Sequence, residues 1–106
     1  MPMKAFLFDT RFVQDRGVAC LIKIMGGSAL DVHTIRNIIS YHTSKRYDVY
    51  EVGVVQPNMT PTEYLRPGQV GYFLSNLKSV AEASIGDTFF DDKARKEDIN
   101  PFPGYE

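Results

Sequence analysis

No segment of this chain sustains the 3.6-residue apolar period of an amphipathic helix. Its apolar residues fall instead into about six short runs separated by turn signals. That pattern predicts an all-β fold, a small closed or sandwich-like β-barrel of about six strands, and argues against parallel α/β architecture. With 106 residues, 43% of them hydrophobic, the chain suits one domain around one core.

The clearest strand covers residues 18–25, where Val18, Cys20, Ile22 and Ile24 share one face and Ala19, Leu21, Lys23 and Met25 the other. Ala5-Phe6-Leu7-Phe8 places bulky residues at consecutive positions and reads as a strand covered on both faces. Asp15-Arg16-Gly17 supplies a turn with a glycine free to take positive φ, so a hairpin joins these two strands. Residues 38–41 and 46–55 form a second pair across the polar turn His42-Thr43-Ser44-Lys45; Gly53 marks a bulge or sharp bend or, like Gly71, a close strand approach. Arg66-Pro67-Gly68 is a turn before a strand at 70–74, residues 79–83 suit one helical turn, and 85–90 closes the patterned region. Residues 29–36 fit neither period and read as a loop or a single helical turn. The barrel is expected over residues 1–92. A linker toward a further domain is expected over 93–106, where the chain turns charged and then proline-containing.

Several chemistries find no support. Gly26-Gly27-Ser28 lacks the following Lys and helix of a phosphate loop. His33 and His42 lie nine residues apart and Cys20 thirteen before the first, which is not ligand spacing, so no metal site is expected. Cys20, the single cysteine, sits in an apolar strand that disfavours a reactive thiolate. Asp91 and Asp92 belong to a mixed-charge run that solvent would screen. No catalytic, cofactor-binding or metal-binding residue is therefore assigned. Twelve basic against thirteen acidic residues, net charge −1, give no global attraction to nucleic acid, so any RNA contact must come from a local patch. The candidates are Arg11 and Arg16 around the first hairpin and Lys45 and Arg46 in the second, with Arg66 and Lys78 further on; loops on one barrel rim would have to combine them. No apolar run approaches the roughly 20 residues that span a bilayer.

An ordered series of motifs resembles the second domain of the LepA (elongation factor four) branch of translational GTPases, mitochondrial and plastid members included. Its pieces are Leu7-Phe8-Asp9-Thr10 with Arg16-Gly17-Val18, then Tyr47-Asp48-Val49-Tyr50-Glu51-Val52-Gly53, then Pro57-Asn58-Met59-Thr60-Pro61. Leu65-Arg66-Pro67-Gly68-Gln69-Val70-Gly71-Tyr72, Leu77-Lys78-Ser79-Val80, Ile85-Gly86-Asp87-Thr88 and Pro103-Gly104-Tyr105 follow. Each piece alone is weak; the order across nearly the whole chain is specific. The resemblance implies a domain like the second domain of translation elongation factors, without catalysis of its own, that docks on the small ribosomal subunit and packs against neighbouring domains. GTP and Mg would belong to a domain outside this chain, and Arg11, Arg16, Lys45 and Arg46 become candidate ribosomal RNA contacts. An organellar matrix follows for a eukaryotic member and the cytoplasm for a bacterial one. One departure is Leu30-Asp31-Val32-His33-Thr34-Ile35-Arg36-Asn37, which replaces the family's shorter Lys-Gly-Asp turn and leaves the local conformation open. The start at a strand and the ending inside a linker favour a segment of a longer protein over two alternatives, a stand-alone β-barrel module binding RNA or protein and a small enzyme.

Overall fold

The computed structural model describes residues 2–56 and 58–100. Pro57 of the Pro57-Asn58-Met59 stretch, and the Pro103-Gly104-Tyr105 motif with the rest of 101–106, lie outside them.

Among the described residues nine strands form: β1 (Lys4–Val13), β2 (Gly17–Ile24), β3 (Leu30–Asp31), β4 (Asn37–Ser40), β5 (Arg46–Val54), β6 (Thr60–Thr62), β7 (Tyr64–Leu65), β8 (Val70–Ser75) and β9 (Thr88–Asp91). The main sheet runs β4-β9-β1-β2-β8-β5-β6, and β4 also pairs with β5, so six antiparallel strands close into a ring. Closure satisfies both edges of each strand in the ring, which a sheet this small cannot do while open. β6 continues from the far half of the β5 edge that β4 occupies at its start, and Pro61 sits there, on the outermost strand, where a missing N–H breaks no central ladder.

The alternation in β2 explains the two apolar clusters. Val18, Cys20, Ile22 and Ile24 point into the barrel with Leu7, Ile38, Val52, Phe73 and Phe89. Ala19 and Leu21 point outward against Tyr72 and Leu74, under Val13, Val55 and Met59. The barrel ends are stoppered by residues of the connections. Leu30 and Leu65, paired across the β3–β7 ribbon, enter the main cluster with Ile35 at one end, and Leu77 does so at the other.

Two local expectations are corrected. Ala5 and Leu7 are buried, but the register of β1 with β2 shifts between Leu7 and Asp9, and Phe8, the extra residue, is 39% exposed. β1 is thus covered on one face. The bulge expected at Gly53 lies instead at Tyr50, where the register shifts between Val49 and Glu51. Gly53 serves the close approach instead: a Cβ there would stand 2.2 Å from the Thr60 carbonyl oxygen and 2.6 Å from the Tyr72 ring, and one on Gly71 would stand 2.3 Å from the Gly53 carbonyl oxygen. These two glycines let β5, β6 and β8 approach where side chains cannot fit.

The 30–37 stretch takes a defined form. Leu30 and Asp31 pair with Leu65 and Tyr64, the Asp31 Oδ1 accepts from the His33 amide (2.8 Å), and the Ile35 amide donates to the Asp31 carbonyl (2.8 Å). An Asx turn on a short ribbon replaces a glycine turn.

Beyond β9 the chain runs back along the barrel wall. Lys93 Nζ donates to the Thr34 carbonyl (2.8 Å), Lys96 Nζ to the Ser44 hydroxyl (2.8 Å), and Ile99 is buried. A 3-10 turn at Lys96–Asp98 carries this reversal, and another, Val80–Glu82, is capped by the Ser79 hydroxyl accepting from the Ala81 amide. The helical turn expected at 79–83 is this second one.

Candidate nucleic-acid interface

Strand direction gathers the candidate residues. β1, β4 and β8 run toward one end of the barrel and β2, β5 and β9 leave it, so the connections 14–16, 41–45 and 76–87 all open from that end. Arg16, Lys45, Arg46 and Lys78 belong to this rim. Arg66 does not: its turn precedes β8 at the opposite end, where it stacks on Tyr64 (5.4 Å) and donates to the tyrosine hydroxyl (2.9 Å). Arg11 is exposed on the outer face of β1 opposite Ala19.

The two hairpin turns of the rim are held by polar groups. The first hairpin closes with the Arg16 amide on the Val13 carbonyl (3.0 Å), with Asp15 and Gly17 both at positive φ (66° and 96°). The 41–45 turn is anchored by Asp87, a buried carboxylate that accepts from the Ser40 hydroxyl (2.5 Å), the His42 amide (3.1 Å) and the Thr88 amide (2.7 Å). Three donors replace the water a buried carboxylate gives up. The Gly86-Asp87-Thr88 motif therefore does structural work for a turn more than forty residues earlier.

The rim cations are not free charges. Arg16 meets Glu51 (2.6 Å), whose other oxygen accepts from the buried Tyr72 hydroxyl (2.7 Å). Burial first, and then this carboxylate, push the Tyr72 phenol well above its usual range. Lys45 meets Glu82 (2.9 Å) and lies 5.5 Å from the Tyr47 ring centroid; the shared hydrogen bond raises the lysine pKa and lowers that of the glutamate. Arg46 meets Asp92 (3.4 Å). All three cations are more than half exposed. Pairs this exposed contribute little to stability, so an incoming phosphate can displace the carboxylate at little cost. Among the described residues Arg11 has no carboxylate within ion-pair distance.

The sequence pattern missed two residues here. Lys96 sits in a mixed-charge run with no periodic signal, yet reaches the 41–45 turn, with Nζ 4.9 Å from the Tyr41 ring centroid. Asp87 was visible only as part of a motif. Among the described residues Gly26-Gly27-Ser28 leads into the two-residue β3, and no group of three His, Cys, Asp or Glu side chains is gathered. Cys20 is enclosed in the barrel, and burial pushes its thiol from 9.0 up to about 12.

Comparison with known proteins places this barrel. No family model matches the chain. The mitochondrial translation factor GUF1 of Bos taurus is 42% identical over 105 residues, 99% of this chain, and that of Homo sapiens is 42% identical over the same share. The mitochondrial GUF1 homolog of Dictyostelium discoideum is 38% identical over 106 residues, the whole chain. The chain spans about 15% of the length of each. The relatives match nearly the whole chain, and it belongs, as a β-barrel segment, to the LepA family of translation factors that includes GUF1.

Proposed function

We propose that this chain is the second, non-catalytic domain of a mitochondrial translational GTPase, where it docks the factor on the small ribosomal subunit and packs against neighbouring domains. The observation that carries this is the 42% identity to mitochondrial translation factors across 99% of the chain. In this reading GTP and Mg bind a domain elsewhere in the longer factor. The rim geometry supports docking, since Arg16, Lys45 and Arg46 open from one end of the barrel on short, anchored turns. Such turns present cations to a phosphate backbone without first having to be ordered. Packing against a neighbouring domain suits the exposed Phe12, near the end of β1, and the exposed Val80 and Ile85 of the 76–87 connection at that same end.

The test is substitution of Arg11, Arg16, Lys45 and Arg46 together by glutamine in the full-length factor, followed by binding to purified small ribosomal subunits across a salt series. The affinity and the steepness of its salt dependence both fall if these residues meet RNA phosphates. Unchanged affinity and slope would sink the docking role.

A further inference from the structure

Lys96 differs from the other cations around the 41–45 turn. Lys45 and Arg46 carry carboxylate partners, Glu82 and Asp92. Lys96 is held by neutral groups only, its ammonium donating to the Ser44 hydroxyl (2.8 Å) and lying against the Tyr41 ring (4.9 Å). Among the described residues no carboxylate lies within ion-pair distance of it. Its own 3-10 turn carries Glu97 and Asp98, but Asp98 is taken by Arg95 (3.2 Å). The turn it touches is itself rigid, with Ser40 and His42 fixed to buried Asp87 and the Tyr41 amide donating to the Thr88 carbonyl (2.8 Å).

A cation placed by a hydroxyl and an aromatic face keeps ammonium hydrogens for an anion. We infer that Lys96 is a further phosphate-contacting residue, which completes with Lys45 and Arg46 a three-cation face on the 41–46 turn for the ribosomal RNA backbone. This rests on the docking role proposed above. It makes the interface composite: two cations come from the β4–β5 hairpin, and the third from the segment that returns along the wall after β9. RNA is the anion chosen because the relatives are translation factors, and because a tyrosine ring beside lysines suits a strand of phosphates and bases.

The experiment uses the full-length factor and purified small ribosomal subunits in a potassium chloride series, with thermal unfolding of each variant measured alongside. Lys96→Gln is expected to weaken binding several-fold and to flatten the log–log salt slope by about 0.7–0.9, the share of one phosphate contact. Lys96→Arg, which keeps the charge, is expected to hold the slope. Lys45→Gln with Arg46→Gln serves as the reference and flattens it further. An unchanged slope in Lys96→Gln beside a flattened one in the reference would overturn the role of Lys96 alone. If the reference also leaves the slope unchanged, the docking role fails and this inference with it.

Discussion

The wall made by β2, β8 and β5 and the rim that carries the 41–45 turn hold their shapes by opposite means. In the wall, side chains alternate between two apolar clusters, and the strands meet over glycines so closely that a methyl group cannot be inserted. On the rim, the turn is fixed by one buried carboxylate with three donors and fringed by exposed ion pairs. The wall is specified by many small contributions that water exclusion adds together. The rim is specified by a few directional ones. Stability therefore resides in the wall, and the surface available to a partner lies where packing is thin.

The largest effect that would break this contrast is at the wall. Gly71→Ala forces a Cβ to 2.3 Å from the Gly53 carbonyl oxygen and under 3 Å from Leu65, and backbone cannot yield as a flexible side chain does. It should cost roughly 3 kcal/mol or more, read as a lowered urea midpoint; a midpoint within experimental error of the parent would show that the crossing is looser than described. Asp87→Ala comes next. It strips the Ser40 hydroxyl and the His42 and Thr88 amides of their acceptor, for about 2 kcal/mol. Hydrogen exchange should speed up at 41–45 while the β2 and β8 amides stay protected; uniform acceleration would mean the anchor serves the whole barrel.

Alkali probes the wall through Cys20. Cys20 has a folded pKa raised from 9.0 to about 12 by burial, so its stabilising effect is complete below 9 and is lost as pH rises toward 12. Roughly 1 kcal/mol should be gone by about pH 10. Cys20→Ala should lessen this alkaline loss, and an identical pH profile in that variant would assign it to other groups. The smallest effect belongs to the rim: Glu82→Gln should leave the thermal midpoint unchanged, because the Lys45 pair is open to water. A clear drop would show that the exposed pair is part of the fold.

Much of the wall was legible in the chain. The alternation through Val18, Cys20, Ile22 and Ile24 follows from the two-residue repeat of a strand, and it survived intact. Arg16-Gly17 and Arg66-Pro67-Gly68 likewise announce turns through local φ preferences. Phe8 was misjudged because a bulge re-aims one side chain without changing local composition. A close strand approach was among the readings open for Gly53 and Gly71, but which strands meet there depends on residues far away in sequence. The rim was half legible. The hairpin turns were visible, and so were their cations, but their partners Glu51, Glu82 and Asp92 lie on other elements.

What the sequence determined by itself was the alternation, the turns and hence a small all-β domain, because these depend on backbone preferences and on neighbours one or two residues away. The ordered motifs added the family, which the relatives share across nearly the whole chain. Tertiary structure alone decided the pairing of β4 with β5 that closes the ring, the Gly53–Gly71 crossing, the Asp87 anchor and the return of Lys96 to Ser44. Each of these joins residues distant in sequence through contacts of a few ångströms, and such distances are set only when the whole sheet closes.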